Sequence, residues 1–213
     1  MRPENKRGKA EMAVHIVLVE PEIPPNTGNI ARTAAATDSV LHLVKPLGFS
    51  LDEKSLRRAG LDYWPYVSLE VHESLAEFLG KYGDRRMWLA TTKADRLYTE
   101  AEFRDEDMIL FGKETAGLPR DLIDARKERA IRIPMSRDTR LRSFNLSNAA
   151  NIVLFEALRQ LGFPGLEGGP AGGGGSAAGM IRCAADSIAT DQNGVCLNAV
   201  RYKTRADRVE RPR

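Results

Sequence analysis

The segment Val14-His-Ile-Val-Leu-Val-Glu-Pro-Glu-Ile-Pro-Pro-Asn-Thr-Gly-Asn-Ile-Ala-Arg32 runs from β-branched apolar residues, through a proline-broken turn, into small residues. Residues 14–19 read as a strand buried on both faces, closed by Glu20 and Pro21. Asn26 or Thr27 then reads as the cap of a helix whose Ala34, Ala35 and Ala36 permit close packing. The same grammar recurs twice. Leu110-Phe-Gly-Lys-Glu-Thr-Ala-Gly-Leu-Pro119 is one repetition; Ile131-Arg-Ile-Pro-Met135, running on to Arg142-Ser-Phe-Asn-Leu-Ser-Asn148, is the other. Each is a strand that stops at a loop of Gly, Pro, amide and hydroxyl residues. Backbone N–H groups at strand ends and helix starts are free to point at a ligand, so three such loops mark a site.

Around these blocks, further strands are expected over 40–44, 66–71, 87–90, 108–111 and 130–133. Helices are expected over 55–60, 74–82, 118–125 and 146–161, the last ended by Gly162. In the 74–82 segment Leu75, Phe78 and Leu79 share one face. Strands alternating with helices predict an α/β fold: a twisted, mostly parallel sheet with helices on both faces. The 146–161 segment carries Val153, Leu154, Phe155, Leu158 and Leu161, more apolar surface than one sheet face requires, which points to a second copy of the chain.

Composition divides the chain into a leader (1–12), a compact domain (13–167) and a Gly-rich tail (168–213) too poor in periodic apolar residues to offset chain entropy. The net charge is +3, from 32 Lys and Arg against 29 Asp and Glu. The tail holds seven basic and four acidic residues, leaving 25 of each in residues 1–167. Any nucleic-acid footprint on the compact part must therefore be local. Lys54, Arg57 and Arg58 form one candidate patch; Arg132, Arg137, Arg140 and Arg142 form another.

Several chemistries are excluded. No G-x-G-x-x-G follows the first strand, and Gly112 and Gly117 have P-loop spacing but Leu118 stands where Lys is required. Cys183 and Cys196 both lie in the tail, and His15, His42 and His72 stand isolated in sequence, so neither a metal nor a thiol centre is expected. No apolar run approaches the ~20 residues of a membrane span. Met1 to Lys9 has no apolar stretch behind it of the secretory kind, so a cytoplasmic protein is expected. What remains is a site of backbone amides, Asn, Ser and Arg, which suits a ligand bringing its own activated group.

The three blocks resemble the signature motifs of the SPOUT (trefoil-knot) RNA methyltransferases, and within them the small TrmL/YibK branch of tRNA (cytidine/uridine) wobble 2′-O-ribose methyltransferases. The resemblance runs from about residue 14 to 166 and includes the string Leu56-Arg-Arg-Ala-Gly-Leu-Asp-Tyr63. It implies a C-terminal deep trefoil knot, S-adenosyl-L-methionine as cofactor, a tRNA substrate and a homodimer with each site completed across the interface. It assigns Ala90 and Thr91 to the cofactor wall, Gly112 to close approach of the adenosine, Ile133 and Met135 to the adenine pocket, and Ser143 and Asn148 to the loop around the methionine moiety. On the substrate side it places Asn26, Arg32, Glu114 and Ser147; Glu114 could equally fix its loop or cap a helix. Arg32 is the catalytic candidate, as general base or as a clamp on phosphate and developing alkoxide. The same chemistry on ribosomal RNA, or a non-catalytic RNA-binding assembly role, are the alternative functions.

Overall fold

The computed structural model describes residues 13–50, 66–136 and 143–167. The expected helix over 55–60, the Lys54, Arg57 and Arg58 patch, the string 56–63, Arg137, Arg140 and Arg142, the leader and the tail lie outside these residues.

Among the described residues, six strands form one sheet: β1 (His15–Val19), β2 (Val40–Val44), β3 (Ser68–His72), β4 (Met87–Ala90), β5 (Met108–Phe111) and β6 (Ala130–Ile131), in the order β3-β2-β1-β5-β4-β6. Every pairing is parallel. Continuous apolar runs with both faces covered are what a parallel sheet demands, and β1, β2 and β5 are buried at every residue. Alternation assigns the two faces. Ile16, Leu18, Leu41, Leu43 and Ile109 pack under helices α1 (Pro24–Ala36) and α4 (Leu146–Gln160). Val17, Val19, Val44, Met108 and Leu110 pack under α2 (Leu75–Tyr82) and α3 (Arg120–Ala125).

The observed elements correct the reading at three points. First, α1 starts before Asn26: Pro24 occupies its first turn, where a missing N–H costs nothing, and Ile23 is its N-cap without a side-chain cap. Second, Val153, Leu154 and Leu158 of α4 are buried within this chain, because α1 lies beside α4 and gives it a second surface; Leu161 is half-buried and Phe155 is 47% exposed. The apolar surface that pointed to a second copy is therefore reduced to the Phe155 ring and part of Leu161.

Third, the three histidines are not isolated in space. His15 Nδ1 lies 2.8 Å from His42 Nε2, and His42 Nδ1 lies 3.1 Å from His72 Nε2. The far nitrogen of His15 meets Glu106 at 3.2 Å. One tautomer satisfies the row: His72 and His42 donate from Nε2 towards His15, whose own Nε2–H faces Glu106. Phe78 and Tyr82 of α2 close edge-on over the rings of His42 and His72. Burial, then the neighbouring His15, hold His42 down to about 3, so it is neutral.

Candidate active site

The loops that follow β1, β4, β5 and β6 all leave the carboxyl edge of the sheet, and β1 and β5 are neighbours across which the chain order reverses. Such a switch point leaves a crevice between loops. Here it holds a cavity of about 760 Å³. Its apolar floor comes from the strand ends Ala90, Phe111 and Ile131 and from Leu146, Ala149 and Val153, which share one stripe of α4.

Three acidic side chains bind the first loop to the second. Glu20 accepts from Lys113 Nζ at 2.7 Å, a hydrogen bond that holds the Lys113 ammonium above its ordinary value. Glu22 accepts from the Thr115 N–H and hydroxyl at 3.1 and 3.0 Å. Glu114 receives the N–H of Glu22 (2.9 Å), the N–H of Ile23 (3.3 Å) and the Asn26 amide (2.8 Å). Glu114 thus does for the entry of α1 what a capping side chain does elsewhere.

The third loop joins through Asn26, whose side-chain oxygen accepts from Asn145 Nδ2 at 2.9 Å. Asn145 is the N-cap of α4: its oxygen takes the N–H groups of Ser147 (2.9 Å) and Asn148 (3.4 Å) and the Ser147 hydroxyl (2.7 Å). Glu114, Asn26 and Asn145 form one hydrogen-bonded chain through all three blocks.

Gly112 has a tighter constraint than the one expected of it. A Cβ there would sit 2.0 Å from Gly117 C and 2.1 Å from Leu118 N. What the missing side chain admits is the backbone of its own loop, which crosses back over Gly112 with Gly117 at φ +73°.

Of the residues singled out in sequence, the structure brings Asn26, Ala90, Thr91, Gly112, Glu114, Ile133, Met135 and Ser143 to the cavity wall. Arg32, Ser147 and Asn148 are not on that wall. Ser147 is buried under Asn145, Asn148 is exposed in the first turn of α4, and Arg32 lies on the exposed face of α1. Sequence reading passed over Asn145, although an Asn directly before an apolar helix is a cap signal. It also passed over Glu22 and Thr115, which pair across 93 positions and carry no local signal.

The model of the SpoU rRNA methylase family matches residues 13–155, most of the region just described. The chain belongs to this family. Escherichia coli K12 tRNA (cytidine(34)-2′-O)-methyltransferase is 48% identical over 153 residues, covering 71% of this chain and 96% of that protein. A Geobacillus stearothermophilus protein, provisionally named for the same reaction, is 49% identical over 158 residues, covering 73% of this chain and 99% of the relative. A structure described as giving insight into 2′-OH methylation of C/U34 on tRNA superposes with a TM-score of 0.65 at 45% identity, covering 70% of this chain and 97% of that one. The SpoU methyltransferase AviRb of Streptomyces viridochromogenes, in complex with AdoMet, shares the fold at a TM-score of 0.61 and 24% identity, covering 72% of this chain and 59% of that one.

Proposed function

We propose that this chain is an S-adenosyl-L-methionine-dependent 2′-O-ribose methyltransferase acting on the wobble nucleotide of tRNA, a cytidine or uridine at position 34. The observation that carries this reading is near-complete coverage of the Escherichia coli enzyme at 48% identity. The donor set of the cavity agrees with it. An apolar floor beneath Asn26, Thr91, Glu114 and Ser143 offers both apolar surface and hydrogen bonds to a nucleoside and an amino acid.

When bound, S-adenosyl-L-methionine would supply an already activated methyl group and leave as a thioether; the ribose 2′-OH is the nucleophile and its proton passes to solvent, so the protein's part is to bind and align the two. Ala90, Thr91, Gly112, Ile133, Met135 and Ser143, all on the cavity wall, would hold it. The substrate side falls to Asn26, Glu114 and Arg32. A guanidinium does not surrender its proton in proteins. Arg32 therefore acts as a two-pronged clamp on a phosphate, orienting the ribose 2′-OH and stabilising the developing oxyanion.

Because Arg32 lies off the cavity wall of its own chain, a homodimer in which α1 delivers it to the partner's cavity accounts for its position. A C-terminal trefoil knot, a methyltransferase domain over 13–167 followed by a dispensable tail, and residence in the cytoplasm complete the proposal. The description of the family model favours ribosomal RNA as a second reading. Mapping ribose methylation in tRNA and rRNA from a strain lacking the gene decides between them: a gap at tRNA position 34 is expected, and a gap confined to rRNA overturns the tRNA assignment.

A further inference from the structure

Among the described residues, five large apolar side chains are exposed, and two of them, Ile23 (44%) and Phe144 (42%), stand on the wall of the cavity. Single exposed apolar residues are ordinary; two on the wall of one cavity are a surface for something flat and apolar. Their proximity is built in. Phe144 adjoins Asn145, Ile23 is three positions before Asn26, and the Asn145–Asn26 hydrogen bond of 2.9 Å fastens the two segments together. Asn145 itself is turned to Asn26, Ser147 and Asn148, leaving the ring beside it without a share in the network.

We propose that Phe144 is the stacking platform for the base of the nucleotide whose ribose is methylated, with Ile23 as the opposing apolar edge. The inference rests on the ribose-methylation reading above and adds to it the means by which the base is held. An enzyme that reacts at the ribose must still fix the nucleotide out of its stack, and an aromatic face does so for any base, because every base presents a π-face. Cytidine and uridine are then held equally, which a hydrogen-bonding pocket for one of them could not do. Arg132, exposed on the same wall, supplies positive charge for the neighbouring phosphate.

The test uses the full chain and an anticodon stem-loop carrying pyrrolo-cytidine, a base whose fluorescence falls on stacking, at the target position. Wild type and Phe144→Trp are expected to quench it. Phe144→Leu, close in volume but without a ring, is expected to leave it bright and to raise the KM for RNA roughly tenfold or more. Its calorimetric affinity for S-adenosylhomocysteine should stay within about twofold. Unchanged quenching and KM in Phe144→Leu overturn the proposal. So does a fall in cofactor affinity, which would place the ring against the cofactor instead. Absence of methyl transfer by the wild-type chain to any RNA overturns both this inference and the function beneath it.

Discussion

Asn145 shows how much one side chain can hold. It caps α4, and it ties the third loop to Asn26 and through Asn26 to Glu114. Asn145→Ala should cost about 1 kcal/mol of stability for the lost cap, seen as a lower melting temperature. It should also weaken cofactor binding, measured by calorimetry, because the loop loses its tether. Arg32 makes the opposite case, since it lies off the cavity of its own chain. Arg32→Ala is expected to cut methyl transfer by orders of magnitude in a tritium-transfer assay while cofactor affinity barely moves. Arg32→Lys should fail nearly as badly, for an ammonium cannot reproduce a planar two-pronged contact. Near-normal turnover in Arg32→Ala removes Arg32 from the mechanism.

Among elements, the loop between β5 and α3 is the least tolerant. At Gly112 a methyl group would meet backbone atoms rather than a flexible side-chain end, so Gly112→Ala should destabilise by about 1–3 kcal/mol or more and loosen the cavity even without touching a ligand. Equal melting temperatures for the two proteins would contradict that geometry. Buried strands such as β1 and β5 were legible because continuous Val, Ile and Leu runs have few other fates. The ends were less so: β6 stops at Ile131, two residues short, and α1 begins at Pro24. In both, a long-range partner decided the boundary. Glu114 takes the N–H groups at the start of α1 from 91 or 92 positions away, and Arg132 has left β6 to bridge Leu97. Eight of the eleven site candidates reached the cavity because strand-end loops are local features, whereas Arg32 needed knowledge of what surrounds α1.

For the whole molecule, pH is the most direct probe. His42 stays neutral in the fold to about 3 but takes up a proton near 6.5 when unfolded. The unfolded chain therefore binds more protons between those values, and stability should fall as pH drops through that window. His72, also lowered by its burial, acts in the same sense. Burial works to raise Glu70, but hydrogen bonds from Lys81 and Tyr82 outweigh it and hold the carboxyl at about 2, so its contribution is lost below about 4.5. Melting temperature against pH should slope less steeply for His42→Gln than for wild type; parallel curves would contradict the assignment. A chain ending at residue 167 should keep the wild-type melting transition and cofactor affinity, since the composition beyond it lacks the periodicity of a packing element; loss of the transition would contradict it. The histidine row has another consequence. Its nitrogens meet only when Val17 lies opposite His42 and Val44 opposite His72. A slip by one residue turns a strand over and would drive its imidazole among the aliphatic side chains beneath α1 and α4, orphaning a buried polar group at about 1–3 kcal/mol. Three rings spread over β1, β2 and β3 therefore proofread the register of the sheet: a strand paired one residue out is penalised by its own imidazole, with no ligand needed to select the correct pairing.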